Sequence, residues 1–389
     1  MGMKIMTGGF LTTVQDLGRI GYQETGMAVS GVMDQHSAKI ANILVGNDCG
    51  EAVLEVTMMG PSIQFTEDNV IAVTGADLGF AINKQPAAMY RALSVHAGDI
   101  LEFKALKTGL RAYIAFAGGL DIPVVMGSRS TNLKSKVGGF QGRKLEAGDE
   151  IGFRAPVRVM DYMERRVAET EIMPTKEIEV RVIMGPQDDC FTEKGKETFL
   201  NSEYAFTSEL DRMGCRLEGE VIEHVDGGDI ISDGITFGAV QVPSHGKPII
   251  MMADHQTTGG YTKIACVITV DLPKVAQAKP GVKLRFKAVS IEEAQELLHE
   301  ENVRLASLRD SIEKEKNEET IRFKDAGALG SAAPEVQAAA KAALTAAFRE
   351  NALSPAGDYI YWVPAGTFRI RVGEEEFTVE LEKETFGLR

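Results

Sequence analysis

Up to about residue 290 the chain is a succession of short apolar or alternating runs, each closed by a glycine-rich turn. EAVLEVTMMG, NVIAVTGADLGF, GLRAYIAFAGGL, EIEVRVIMGP, KPIIMMADH and TKIACVITV are examples. Runs of about five to eight residues rich in Val, Ile and Thr suit strands and are too short for most helices. The pattern predicts a mainly β fold with some α.

One helix interrupts the early β texture. In MDQHSAKIANILVGN, Asp34 is placed to cap, Ala38, Ile40, Ala41, Leu44 and Val45 are the apolar positions, and Gly46 is a stop. From Ala155 to Ile178 the alternation gives way to charge, which predicts a linker or crossover. After residue 290 the period changes. Ser290 and Glu293 form a capping box, and Ile291, Ala294, Leu298, Leu305, Leu308 and Ile312 recur at helical spacing. Glu301 interrupts that apolar edge, so a helix lying on the protein's own surface is favoured over a dimerising coiled coil. PEVQAAAKAALTAAFREN predicts a second helix with Pro334 in its first turn. Alternating Phe368, Ile370 and Val372, then Phe377, Val379 and Leu381 across a GEEE turn, predict a terminal hairpin. The resulting division is a β-rich domain over 1–160, a second over 178–290, and a helical extension ending in a β-hairpin over 291–389.

Composition narrows the function classes. The chain has 389 residues and 56 acids against 42 lysines and arginines, a formal net charge of -14. That balance opposes attraction to nucleic acid or anionic membranes. No apolar run is long enough to span a bilayer, and the beginning turns polar too early for a signal peptide, so a cytoplasmic protein is expected. Cys49, Cys190, Cys215 and Cys266 are scattered singly, without a CxxC pair. The six histidines show no i, i+4 pairing, and no metal site is expected. Phosphate-loop, dinucleotide, nucleophile-elbow and HExxH signatures are all missing, as is a biotinylation lysine.

Three polar clusters remain as candidate chemistry. In the first, Gln15, Asp16 and Arg19 surround a Leu-Gly turn, and Ser30 and Asp34 precede the helix. Arg19 suits a bidentate carboxylate pair and the helix start offers free N–H groups. A turn pair between Asp16 and Arg19 with Asp34 as a plain cap is the commoner use of such residues. In the second, GSRSTN presents Arg129 within a polar loop, placed equally well for anion binding or surface connection. The third, ISDGITFGAVQVPSHGKPIIMMADHQTTGGY, gathers Asp233, Gln241, Asp254, Gln256, Thr257, Thr258, Gly260 and Tyr261. A carboxamide can donate to the carbonyl and accept from the N–H of an amide or ureido group, and Thr-Gly-Gly amides can face an oxyanion. A strand, a Gly-Gly turn and a strand account for the same residues structurally.

Taken in order, TVQDLGRIGY, SGVMDQHSAKIANILVGN, YIAFAGGLDIPVVMGSRST, DRMGCRLEG, the third cluster and DLPKVAQAKPG resemble the biotin-dependent carboxyltransferase family, also called the allophanate hydrolase subunit 2, KipA-like or 5-oxoprolinase C-subunit family. The resemblance runs from about residue 10 to about 290. It implies β-rich domains related to cyclophilin-like barrels and one component of an ATP-dependent 5-oxoprolinase that opens 5-oxoproline to glutamate. The implied partners are a KipI-like protein and a LamB/YcsF-type protein, the other two components of such a complex. ATP would be bound in an unfamiliar pocket or shared with those partners. Two alternatives stand beside it: a carboxyltransferase using carboxybiotin on a separate carrier with a urea-like or amide acceptor, and a non-catalytic KipA-like regulator of a KipI-like kinase inhibitor. All these small substrates share a planar N–C=O unit. The candidate catalytic residues are Asp16, Asp34 and Asp254. The candidate substrate-binding residues are Gln15, Arg19, Ser30, Arg129, Gln241, Gln256, Thr257, Thr258, Gly260 and Tyr261. Nothing in the pattern requires an imidazole at His255.

Overall fold

The computed structural model describes residues 2–170, 176–318, 322–325, 360–363, 367–372 and 375–382. Two β lobes follow one another within a first compact unit, Met1–Leu308. In the first lobe a six-stranded sheet runs in the order Glu150–Ile151, Met3–Thr7, Ser62–Phe65, Ile100–Phe103, Phe80–Ile82, Gln85–Pro86. A five-stranded sheet runs Leu11–Gln15, Val53–Thr57, Thr108–Phe116, Asn69–Asp77, Ala92–Val95. Met3, Ile5, Phe65 and Leu101 from one sheet share a core with Val14, Leu54, Ile71, Val73, Ile114 and Phe116 from the other.

The run NVIAVTGAD is buried almost throughout because its two faces meet different partners. Ile71 and Val73 join the shared core, while Thr74 donates its hydroxyl to the Ser37 carbonyl at 2.7 Å in helix α1 (Gln35–Leu44). Asp34 caps α1 as the sequence predicts, accepting the Ser37 N–H at 2.9 Å, and Gly46 leaves the helix at φ +73°. The charged stretch after Ala155 runs back along this lobe: the Arg166 carbonyl accepts from the Ala92 N–H at 2.9 Å and the Arg166 guanidinium donates to the Leu44 carbonyl at 3.2 Å.

Strands of the second lobe pair in the order Glu177–Met184, Lys283–Ala288, Tyr204–Leu210, Gly214–Glu218, Ile249–Met251, Ala239–Val242, Thr258–Val267, Asp229–Gly234. Glu177–Met184 also pairs with Thr258–Val267, through Val182↔Val267 and its neighbours. That pairing closes the first seven strands into a barrel, which leaves no free edge among them. Val182, Phe206, Leu217, Val240, Ile250, Ile264 and Leu284 fill the interior. Strand alternation therefore sends Arg216, Gln241, Ile249 and Lys263 to the outer face. Helix α2 (Glu193–Asn201), capped by Thr192 on the Gly195 N–H at 2.9 Å, stacks Phe199 on Phe286, and helix α3 (Leu272–Gln277) begins with proline near its N-terminus.

Helix α4 (Ile291–Glu318) starts in the same unit, with Ser290 Oγ accepting the Glu293 N–H at 3.1 Å. Glu301, the residue that breaks its apolar edge, hydrogen-bonds His36 of α1 and lies 3.2 Å from the Arg304 guanidinium. The break in the pattern is thus an ionic contact with the protein's own surface. The second unit, Arg309–Arg389, contains a four-stranded antiparallel sheet in the order Arg322–Asp325, Glu375–Glu382, Thr367–Val372, Ile360–Val363. Its central pair has the expected hairpin register, Phe368↔Val379 and Ile370↔Phe377. The short outer strands IYWV and RFKD were not anticipated from the sequence pattern, and the helix expected after Pro334 lies outside the described residues.

Candidate active site

A buried ionic chain joins the two lobes. The turn after Tyr204–Leu210 is fixed by Asp211, whose Oδ1 accepts the Met213 and Gly214 N–H groups, and it projects Arg212 toward the first lobe. Arg212 is 4% exposed. It donates to Asp254 at 2.9 and 3.1 Å, to the Gly31 carbonyl at 2.6 Å, and to Glu55. Glu55 also accepts from the Met33 N–H at 2.7 Å and the Tyr113 hydroxyl at 3.0 Å. The Tyr113 oxygen takes the Asp34 N–H at 2.8 Å. The Asp34 carboxylate accepts from the Ser37 hydroxyl at 2.7 Å and the Gln277 amide at 2.8 Å, and Gln277 Oε1 accepts the Leu110 and Arg111 N–H groups, each at 2.9 Å. Asp254 and Asp34 are therefore two ends of one network. Burial opposes the Arg212 charge, but Glu55 and Asp254 outweigh it and hold the proton more tightly than in an ordinary arginine. Burial, reinforced by Glu55 and Asp34, pushes the Tyr113 hydroxyl well up, so it stays protonated.

Asp16 organises a second cluster in the first lobe. Its carboxylate accepts the Gly18 N–H at 2.8 Å, the Ser128 hydroxyl at 2.7 Å, the Ser130 hydroxyl at 2.5 Å and the Arg129 N–H at 2.6 Å. Arg19 bonds carbonyls, those of Val125 at 3.0 Å and Ser130 at 2.8 Å, and its Nη1 has no hydrogen-bond partner among the described residues. Burial lowers its pKa, with Asp16 and Asp254 opposing. Gln15 donates to Thr13 and to the Thr131 carbonyl, each at 3.0 Å. Ser30 sits at φ +60° and accepts from Asn132 at 3.0 Å. The Arg129 guanidinium donates to the Ile122 carbonyl at 3.0 Å and stands 3.8 Å from Glu51.

An open cleft lies on the outer face of the barrel, with a cavity volume of about 530 Å³. Ile249 and Met251 form part of its floor, and Gln241, Gln256, Tyr261, Arg216, Glu209 and Asp211 contribute its polar lining. Gln241 is 2% exposed and its Nε2 has no hydrogen-bond partner among the described residues. A Cβ added at Gly259 would stand 2.9 Å from Gln241 Nε2 and 3.4 Å from Gln256 Nε2. The two carboxamides thus converge on a point that only glycine leaves free. Thr257 and Thr258 hold the neighbouring edge by backbone: the Thr257 carbonyl accepts the Ile235 N–H at 3.0 Å, and Thr258 and Tyr261 register with Gly234 and Asp229. Gly260 lies against the Ile230 carbonyl.

The residue spacing places Asp254 and Gln256 on either side of His255, so the ionic chain ends beside the cleft. His255 is buried, contacts the Gln256 carbonyl through Nδ1 at 2.7 Å, and burial lowers its pKa. Gln241, Gln256 and Tyr261 meet in the cleft, and Asp34 and Asp254 in the ionic chain. Gln15, Asp16, Arg19, Ser30 and Arg129 belong to the first-lobe cluster. Sequence reasoning missed Arg216 and Lys263. Lys263 is the register partner of Gln241, is 4% exposed, and forms an ion pair with Asp233 at 3.0 Å; this pair holds the Asp233 carboxyl below its usual range. A lysine inside the strand TKIACVITV was the available signal. Among the described residues no group of three or more His, Cys, Asp or Glu could hold a metal ion.

Two β lobes locked by a buried arginine, with an amide-lined cleft on a closed barrel, are the architecture on which the family match falls. The chain belongs to the family described as carboxyltransferase domain, subdomain A and B, whose model matches residues 25–288. It is 37% identical to the 5-oxoprolinase C subunit of Escherichia coli over 292 residues, covering 75% of this chain and 93% of that protein. To the 5-oxoprolinase C subunit of Haemophilus influenzae it is 36% identical, covering 78% and 96%. Among solved structures it is similar to the K. lactis urea amidolyase, with TM-score 0.73 and 29% identity over 79% of this chain but 20% of that much longer one.

Proposed function

We propose that this chain is the C subunit of an ATP-dependent 5-oxoprolinase and that the barrel cleft receives the lactam. The observation that carries the proposal is the pair of carboxamides converging at Gly259, one of them with a buried, unpartnered N–H. A buried donor without an acceptor is costly, and a lactam carbonyl supplies the acceptor. Gln256 presents its Nε2 to the same point, so both carboxamides can donate to that carbonyl oxygen, and Tyr261 closes the rim. Lys263, held against Asp233 on the strand beside Gln241, provides positive potential as negative charge develops on the lactam oxygen. The carboxylates of Asp16, Asp34 and Asp254 each accept two or more hydrogen bonds. We therefore assign them to positioning: Asp254 fixes the loop that carries Gln256, and Asp34 and Asp16 fix the lobe behind it, together with Gln15, Arg19, Ser30 and Arg129.

The cleft does not fit a triphosphate, because Arg216, the one cation among its described lining residues, is accompanied by Glu209 and Asp211. ATP activation in this reading falls to another part of the complex, with a KipI-like protein and a LamB/YcsF-type protein as partners in the cytoplasm. No described helix is long and apolar enough to cross a membrane. The test is glutamate release from 5-oxoproline by the chain with those partners and ATP; silence in every combination removes the proposal. A carboxyltransferase reading has its own support in the family match and the urea amidolyase relatives, because two carboxamides also suit a biotin ureido ring. Discharge of carboxybiotin by chain, carrier and a urea-like acceptor is its test.

A further inference from the structure

Arg216, Ile249 and Gln241 are successive register partners on three adjacent strands. Directly opposed residues leave a sheet on the same face, so these three side chains form one row across the cleft. Two strand spacings, roughly 10 Å, separate the backbones at its ends. The row has a cation at one end, an apolar residue at its centre and a carboxamide at the other. Arg216 is the one cation among the described residues lining this cleft. Its present partner is Glu209, 3.0 Å away, and the two side chains are 50% and 73% exposed. An ion pair so open to water contributes little and yields readily to another carboxylate. Asp211, also in the lining, has its Oδ1 engaged by the Met213 and Gly214 N–H groups.

We infer that Arg216 is a specificity-determining residue that binds a carboxylate on the substrate, so that the cleft selects an anionic cyclic amide over a neutral amide or urea. This rests on the assignment of the cleft to an amide substrate. A ligand with its amide at Gln241 and Gln256 and its carboxylate turned toward Arg216, whose long side chain can reach back over Ile249, uses both ends of the row. The guanidinium fork accepts a carboxylate bidentately, which a neutral ligand cannot exploit. Glu209 has the opposite effect: it holds Arg216 when the cleft is empty and repels an incoming anion.

The test compares 5-oxoproline with 2-pyrrolidone, the same lactam ring without the carboxylate, by calorimetric titration of the chain purified with its partner proteins. The wild type is expected to prefer 5-oxoproline by about 10- to 100-fold, the range for a charge-assisted contact. Arg216→Met brings the two ligands to near parity, and Glu209→Gln widens the wild-type preference. A wild type without preference, or an Arg216→Met variant that weakens both ligands equally, overturns the inference. If 5-oxoproline binds through Arg216 but is never opened, the proposed activity fails and this inference stands; turnover without discrimination gives the reverse.

Discussion

Arg212 is enclosed by the fold and answered by Glu55, Asp254 and the Gly31 carbonyl. Removing it would leave two buried carboxylates facing each other across the gap. Arg212→Met is expected to destabilise the protein by about 3–5 kcal/mol, read from the urea midpoint, because breaking one partner of a buried pair strands the other charge. Neutralising Glu55 and Asp254 in the same chain, as Gln and Asn, should recover much of the loss. A midpoint unmoved by Arg212→Met would show that the chain of contacts does not hold the lobes. The signal for this residue was weak in the sequence. DRMGCRLEG shows a charged turn, and only the folded register brings Glu55, 157 positions away, to the guanidinium.

Among the helices and strands, the pattern was legible wherever contacts are local. The α1 cap at Asp34, the α4 cap at Ser290 and the terminal hairpin register all depend on residues close in sequence, three apart in the caps and at most 13 across the hairpin. Closure of the barrel was not legible, since it requires Glu177–Met184 to find both Lys283–Ala288 and Thr258–Val267 across long separations. The candidate site divides the same way. Gln256 and Tyr261 stand out within one polar segment, whereas Arg216 reads as an ordinary outward position of an alternating strand until register sets it in line with Gln241. Gly259 tests this arrangement. A methyl group there would meet Gln241 Nε2 at 2.9 Å and the end of Ile235 at 2.6 Å, both flexible tips. Gly259→Ala should raise the KM for the lactam by about tenfold, with kcat and the urea midpoint little changed. A large stability loss with unchanged KM would show that the glycine serves packing alone.

Across the molecule as a whole, burial lowers the pKa values of His255 and His224. A histidine buried neutral binds fewer protons folded than unfolded, so stability rises with pH through this range. Its contribution is fully present above the unfolded value, roughly 6.5, and is lost as pH falls toward the lower folded values. Urea midpoints should therefore drop on acidification from about pH 7.5 to 5, and His255→Asn should flatten part of that slope. A midpoint rising on acidification, or a slope unchanged in the variant, would contradict it. The two lobes are joined through Arg212 to Glu55 and Gln277 to Asp34, and the cleft lies at the end of that junction.

The function assigned to the cleft depends above all on Gln241 presenting its buried amide to a substrate carbonyl. It is tested by kcat/KM for ATP-dependent glutamate release from 5-oxoproline, comparing the wild-type complex with one carrying Gln241→Leu. Turnover by the wild type is expected, with a fall of about 10- to 100-fold or more in the variant and an unchanged urea midpoint. A Gln241→Leu complex that opens 5-oxoproline as efficiently as the wild type would refute that role.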